Sequence, residues 1–423
     1  MSRWRWMLMQ MTRRLWARAT LIGCLGVAAA ILAAVVERFI PWEFPTSIGA
    51  DAVGSILNII ASSMLAVTTF SLSVMTAAYG SATSNVTPRA AKLLMEDRVT
   101  QTVLSSFLGS FLFSIVGIVV LKTGAYGERG RFILFVVTII VIVLIVVSLL
   151  RWIDHLTRLG RVGETTARVE QAARKAIEAR LQEPYLGGRL LSDPEQDVPV
   201  DAQPVMAGVI GYVQYVDMAA LSQCGSAIKG EILVAAIPGT FVYPNTAIAW
   251  ISKHEQDEDS NNIAQTVYKA FSIDNERSFD QDPRFGLAVL SEIGSRALSP
   301  ATNDPGTAID VISRMARLMS LWAGGASVIA DDDIRYPNVR VSPLKTEDLF
   351  EDAFMLIARD GAHLIEIQLR LQKTLIALSQ MGDKHVREAA LYQAKLARER
   401  AEIALTLDSD KSRLQAVVDS IRY

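Results

Sequence analysis

Cysteine and histidine are scarce: two cysteines and four histidines in 423 residues. Cys24 and Cys224 lie far apart, one inside an apolar run and one in mixed sequence. Neither a disulfide framework nor a cysteine-based zinc site can be built from them. The sequence also lacks a glycine-rich phosphate loop, a His-Glu-x-x-His pair, a Gly-x-Ser-x-Gly elbow, a dinucleotide fingerprint after a strand, and a Cys/His cluster. The local signatures of NTPases, zinc proteases, serine hydrolases and nicotinamide enzymes are therefore missing. The expectation is no catalytic residue, no cofactor and no metal; an enzyme built on less local arrangements stays open and is not favoured. Asp257, Glu258 and Asp259, in the polar stretch His254–Asn262, read as a solvated turn rather than a cation site.

A third absence is more informative. Four apolar runs occupy the first 150 residues, Leu15–Val36, Val53–Tyr79, Thr102–Leu121 and Phe132–Leu150, and the last three contain no Asp, Glu, Lys, Arg or His. Each approaches or exceeds the ~20 residues that carry a helix through ~30 Å of hydrocarbon. The expectation is four transmembrane helices with a lipid bilayer as partner. Coupled carriers and voltage sensors place ionisable groups at membrane depth, so both become less favoured.

Charge divides the chain. Residues 1–150 hold 12 Lys/Arg and 6 Asp/Glu, and the remainder 30 and 38, net +6 and −8, in agreement with the overall −2. An acidic second part argues against nucleic acid as a partner. Arg3, Arg5, Arg13, Arg14 and Arg18 precede the first run, while Arg151, Arg158, Arg161 and Arg168 follow the fourth. By the positive-inside rule both termini are expected on the cytoplasmic side of an inner membrane; Lys122, Arg129 and Arg131 in the third loop oppose this mildly. A cleaved signal peptide ending near Ala28–Ala30 is the alternative for the first run.

The second run is threaded with polar groups. Ser55, Asn58, Ser62, Thr69, Ser73 and Thr76 recur at helical spacing and share one stripe. Two readings stand: a helix–helix interface, or the wall of an uncharged pathway. Asp51, just before it, reads as a helix-start charge or an influence on ion entry. In the third run Thr102, Ser106, Ser110, Ser114 and Gly117 form a small-residue pattern that suits close packing.

The remainder reads as a soluble cytoplasmic α+β domain with a helical C-terminal third. The boundaries read as 1–152 for the four-span domain, 153–204 for a helical strut with a Pro184–Pro204 linker, 205–345 for the α+β module with an αα-hairpin, and 346–423 for the C-terminal helices. Gly160 and Gly163 mark a hinge in the strut. Val209–Val216 and Ile232–Ile237 read as strands, followed by two short strands ending near Ile251, and Asp217 caps a helix to about Ile228. Asp282-Pro283 and Asp304-Pro305 open two helices, with aspartate as N-cap and proline at N1. Thr346 is expected to cap a helix from Glu347 to Met381, which Gly361 and Gly382 interrupt or end, and Asp383 one to about Leu407, with a short last helix behind Asp408 or Asp410. His363 and His385 have no companion at metal-ligand spacing and read as structural.

The tight connection Ala297–Ala308 gathers Ser299, Thr302, Asn303, Asp304 and Thr307 at a helix start. Cap and turn chemistry accounts for them, and a ligand or subunit contact is the alternative. Ser299-Pro300, Asn303-Asp304-Pro305 and Thr307-Ala308, together with Asp282, Phe285-Gly286-Leu287, Gly239-Thr-Phe-Val242 and the four apolar runs, make nearly the whole chain resemble a bacterial family of predicted membrane proteins, domain of unknown function 2254. The resemblance implies a multi-pass membrane protein and brings no activity with it. From the residues themselves the leading expectation is a homo-oligomeric ion channel or permeation pathway, regulated by its cytoplasmic domain and admitting a small ion or ligand. The alternative is a membrane-anchored sensor or scaffold.

Overall fold

The computed structural model describes residues 6–7, 12, 15–36, 50–95, 97–124, 126–252, 260–325 and 334–419. Arg3, Arg5, Arg13, Arg14 and the Asp257–Asp259 turn lie outside the described residues. The chain divides into two compact units, Met7–Thr165, and Thr166–Tyr423 together with Met1–Trp6.

The first unit is helical: α1 (Leu15–Val36), α2 (Ala50–Asn85), the short α3 (Pro88–Met95), α4 (Arg98–Lys122) and α5 (Glu128–Leu156), then the start of α6 (Val162–Gln182). Three helices are long and apolar enough to cross a membrane, over Asp51–Ser81, Arg98–Lys122 and Glu128–Leu156; Trp16–Leu32 in α1 is a shorter apolar helix. Unbranched small residues set the α1–α4 approach. A Cβ on Gly26 would stand 2.7 Å from the Gly109 carbonyl oxygen, and one on Gly109 would stand 2.7 Å from Ile22 Cγ2, so only glycine lets these backbones meet at this distance. Ser106, Ser110, Ser114 and Gly117 of α4 are buried, whereas Thr102 is exposed. Tyr126, fully buried, donates its hydroxyl to the Ala30 carbonyl at 2.6 Å and ties the α4–α5 loop to α1.

The sequence composition is helical through the end of α5, yet the helix stops at Leu156 and a turn precedes α6. Gly160 supplies the reason: its φ of +78° is left-handed backbone that a helix cannot contain.

The second unit is α+β. A five-stranded sheet has the order β1 (Arg189–Leu190), β8 (Val339–Val341), β4 (Glu231–Val234), β6 (Ala247–Ser252), β2 (Gln203–Met206); β1, β8 and β4 are mutually parallel, and β6 and β2 antiparallel. Three antiparallel strands, β5 (Phe241–Val242), β3 (Gly211–Val216) and β7 (Phe271–Asp274), form a second sheet. The segment Pro184–Pro204, read from composition as a linker, carries both edge strands β1 and β2 and a helical turn, α7 (Pro194–Asp197). Pro204 is tolerated because β2 is an edge. α8 (Met218–Ala227) begins where expected, with the Asp217 carboxylate accepting from Ala220 N. α9 (Ser260–Lys269) leads into β7. Ile232, Val234, Ile248, Ile251, Leu221, Val267 and Phe271 form the core around the sheets.

Helices α10 (Pro283–Ala297) and α11 (Pro305–Gly324) start on Asp282 and Asp304 N-caps with proline in the first turn. The expected Glu347–Met381 helix is two, α12 (Thr346–Asp360) and α13 (Ile365–Ser379), parted by a turn at Gly361, and Lys345 rather than Thr346 occupies the N-cap. α14 (Lys384–Ala404) is capped by Asp383, whose carboxylate accepts from Val386 N, and α15 (Asp408–Asp419) closes the chain. Phe350, Phe354, Leu371 and Leu375 are fully buried in this bundle.

Candidate functional site

α2 is the longest helix described, 36 residues, or ~54 Å of axis at 1.5 Å per residue. Its two faces differ in composition. Val53, Leu57, Ile60, Ala61, Met64 and Ser71 are buried, packed with residues of α4 and α5 such as Phe113, Leu134, Phe107 and Ile145. Ser55, Asn58, Ser62, Thr69, Ser73 and Thr76 are all exposed. At ~100° per residue the six polar positions fall within an arc of about 60°, on the side away from the packed residues. Asp51, also exposed, falls on the same arc at the first turn. Ile59, Leu65, Phe70 and Leu72 flank it and are exposed too.

Three of the five hydroxyls on the arc bond to their own helix. Ser62 donates to the Asn58 carbonyl at 2.9 Å, Thr69 to the Ala66 carbonyl at 2.9 Å and the Leu65 carbonyl at 3.1 Å, and Thr76 to the Leu72 carbonyl at 2.9 Å. Such bonds to the preceding turn let Ser and Thr sit on an outer helix face at little cost. The Asn58 carboxamide makes no hydrogen bond to the described residues. It brings two donors and an acceptor to the outer face of an apolar helix.

The connection Ser299–Thr307 is brought together and spent on itself. Asp304 accepts from Thr307 N at 3.0 Å and from Thr307 Oγ1 at 2.6 Å, and Ser299 donates to Thr302 Oγ1 at 3.1 Å. The Thr307 hydroxyl and amide hold the Asp304 carboxyl below the usual carboxylate range. Asn303 has a φ of +47°, and the Asp304 amide donates to the Ala297 carbonyl at 2.8 Å. All five residues have turn or cap partners, Asn303 through its amide to the Ser299 carbonyl at 2.8 Å.

Two polar clusters were missed in the sequence. Asp97, the N-cap of α4, accepts from Thr100 N at 2.8 Å and Thr100 Oγ1 at 2.6 Å, and stands 3.0 Å from His155 Nε2 near the end of α5. Thr100 Oγ1 lies 3.0 Å from the same Nε2, so the imidazole bridges both through one nitrogen and no nucleophile relay results. Its effect is to hold the ends of two helices together in a largely buried site. In the second unit Asp282 is 1% exposed and receives Arg277 at 2.7 and 3.0 Å while also accepting from Phe285 N at 3.2 Å. Arg180 lies in its field, and burial pushes the guanidinium down to about 10, where it stays charged at neutral pH. Gly239, at φ +97°, passes so close that a Cβ would stand 2.6 Å from the Asp282 carboxylate. Only the cap role of Asp282 was readable from the Asp-Pro pair; Arg277 comes from five residues upstream, and Arg180 arrives through tertiary folding. Among the described residues, no group of three His, Cys, Asp or Glu side chains is placed to hold a metal ion.

Comparison with known proteins agrees with the apolar helices. Two uncharacterized proteins, one of Mycobacterium bovis and one of Mycobacterium tuberculosis (strain H37Rv), are each 26% identical over 323 residues, which cover 73% of this chain and 61% of theirs. The chain thus spans about three fifths of the length of these relatives. No solved structure matches. The family model described as predicted membrane protein DUF2254 matches residues 12–377, and the chain belongs to that family of membrane proteins.

Proposed function

We propose that the protein is a homo-oligomeric permeation pathway for a small ion or neutral solute, walled by α2 and regulated by the unit that begins at Thr166. The observation that carries this reading is Asn58. An unpartnered primary amide facing hydrocarbon costs several kcal/mol on transfer scales, and it lies in line with five hydroxyls and Asp51 on the face that the chain's own helices leave open. Copies arranged about an axis would turn that arc toward water, at once satisfying the amide and giving a wall of neutral polar groups with the one carboxylate, Asp51, at its end. In this reading α1 crosses the bilayer as a fourth span, and both termini are on the cytoplasmic side of the inner membrane.

The test is current through the purified protein in planar bilayers. The unsubstituted protein is expected to conduct, and Thr69→Leu to lower unitary conductance several-fold while the oligomer, sized by light scattering, stays intact. Absence of current under voltage, tension and varied salt, with the oligomer present, overturns the pathway. A variant that changes assembly and leaves conductance alone makes the arc a subunit contact.

A further inference from the structure

The C-terminal helices hold a second feature, independent of the membrane face. α14 and α15 join through Ala401, Leu405 and Leu414. Beyond that joint a half-open cavity of about 710 Å³ is lined by α13, α14 and Val418 of α15. Its size falls in the range of small-molecule sites. Ile376, Leu391 and Val418 supply apolar lining. Gln372 is 2% exposed and fixes the floor by donating to the Ala394 carbonyl at 2.8 Å.

The other wall is basic. Lys384, Arg387, Lys395 and Arg398 line the cavity from one side of α14, against a single acid, Asp383. Asp383 is already engaged as the N-cap, accepting from Val386 N at 3.0 Å. The pairs Lys384–Glu388 at 3.6 Å and Lys395–Glu399 at 3.9 Å are exposed i,i+4 contacts, which contribute little and exchange readily. Arg387 has no carboxylate partner among the described residues. Arg398 Nε is buried without a hydrogen bond, and Glu402 approaches it at 3.3 Å without the geometry of one. Cationic donors thus converge on a cavity whose own acid is committed elsewhere. Two guanidinium groups suit the several oxygens of a phosphate, and the lysines add point charge.

We infer that this groove binds an organic phosphate, with the dianion on Arg387, Lys395 and Arg398 and an apolar body on Ile376, Leu391 and Val418. The family match ends at residue 377, so the basic wall lies in the part of the chain beyond it.

The inference is tested on the full chain in phosphatidylcholine nanodiscs, titrated calorimetrically with phenyl phosphate, inorganic phosphate and phenol. Phenyl phosphate is expected to bind saturably, inorganic phosphate at least about tenfold more weakly, and phenol not measurably. Arg387→Gln with Lys395→Gln is expected to weaken phenyl phosphate about tenfold or more, in keeping with loss of charge-assisted contacts. Both side chains are exposed, so the thermal midpoint should not move. Failure of phenyl phosphate to bind, or binding indifferent to the double substitution, overturns the inference, and equal affinity for inorganic phosphate overturns the role of the apolar wall. Nanodiscs containing phosphatidic acid, whose phosphomonoester headgroup can carry two charges, separate the sources. Competition with phenyl phosphate identifies a lipid headgroup as the natural ligand, and lack of competition a soluble phosphate ester; either result sustains the site.

Discussion

The two units handle polar groups in opposite ways. In Met7–Thr165 the Ser and Thr side chains largely turn back on their own helix, as in Ser62 to Asn58, Ser110 to Ser106 and Thr138 to Leu134. In the unit from Thr166 onward, charged side chains reach across sequence: Arg284 of α10 bonds Asp348 and Asp352 of α12 at 2.6 Å each, and Glu170 of α6 takes Arg314 at 2.7 Å and Arg317 at 2.8 Å from α11. Hydroxyls in the first unit keep helices apolar from outside, so packing rests on shape. Charge pairs in the second unit specify which helices meet, because a wrong neighbour would leave a desolvated charge unpaired. Substitutions at polar sites should therefore be severe in one unit and mild in the other.

The largest effect is expected at Asp282. Its replacement by alanine strands Arg277 and Arg180 in the interior and removes the α10 cap, for a loss of about 3–5 kcal/mol in denaturant unfolding of the detergent-solubilised protein. A loss below about 1 kcal/mol would break the contrast. Next comes Gly286→Val. Even a Cβ there would stand 2.4 Å from Ala173 Cβ, so α6 and α10 must part, at about 1–3 kcal/mol or more.

Glu170→Gln should cost about 1.5–3 kcal/mol at neutral pH, as expected for a hydrogen-bonded charge. Burial opposes ionisation of Glu170, but Arg317 and Arg314 prevail and hold its pKa below the ordinary carboxylate value. A lowered folded pKa means that the stabilisation is fully present above the unfolded carboxylate pKa and is lost as pH falls through the folded value. The gap between the two proteins in thermal midpoint should consequently shrink in acid; a gap that widened would contradict the pairing. The smallest effect belongs to the first unit. Thr69→Val removes a hydroxyl bonded only to its own preceding turn and should shift stability by no more than about 0.5 kcal/mol. A large loss there would mean that the hydroxyl has a partner outside the chain.

What was legible in the sequence was local. Asp217, Asp282, Asp304 and Asp383 announce helix starts because a cap bonds three residues on, within the reach of a motif. The apolar helices were equally plain, since the signal is a sum over ~20 residues. Two- and three-residue strands such as β1 and β8 have no room for alternation, so Pro184–Pro204 looked like linker and Val339–Val341 gave no strand signal. The stripe on α2 was visible as spacing, but its exposed side depends on what α4 and α5 cover. Asp97 with His155, and Asp282 with Arg180, are pairings that only folding creates. The basic side of α14 looked like an ordinary charged helix until α13 and Val418 enclosed it.

β8 lies between β1 and β4, although it leaves the ribosome more than a hundred residues after both. At ~5–20 residues per second, the β8-facing edge of β4 waits roughly 5–20 s during synthesis, and β1 roughly 7–30 s, without the strand that separates them. Over that interval Ile232, Leu233 and Val234 present an open sheet edge, a template for pairing with another nascent chain. The five-stranded sheet closes by insertion rather than by zipping, and a chain interrupted before Val339 would leave the ribosome with that edge unsealed.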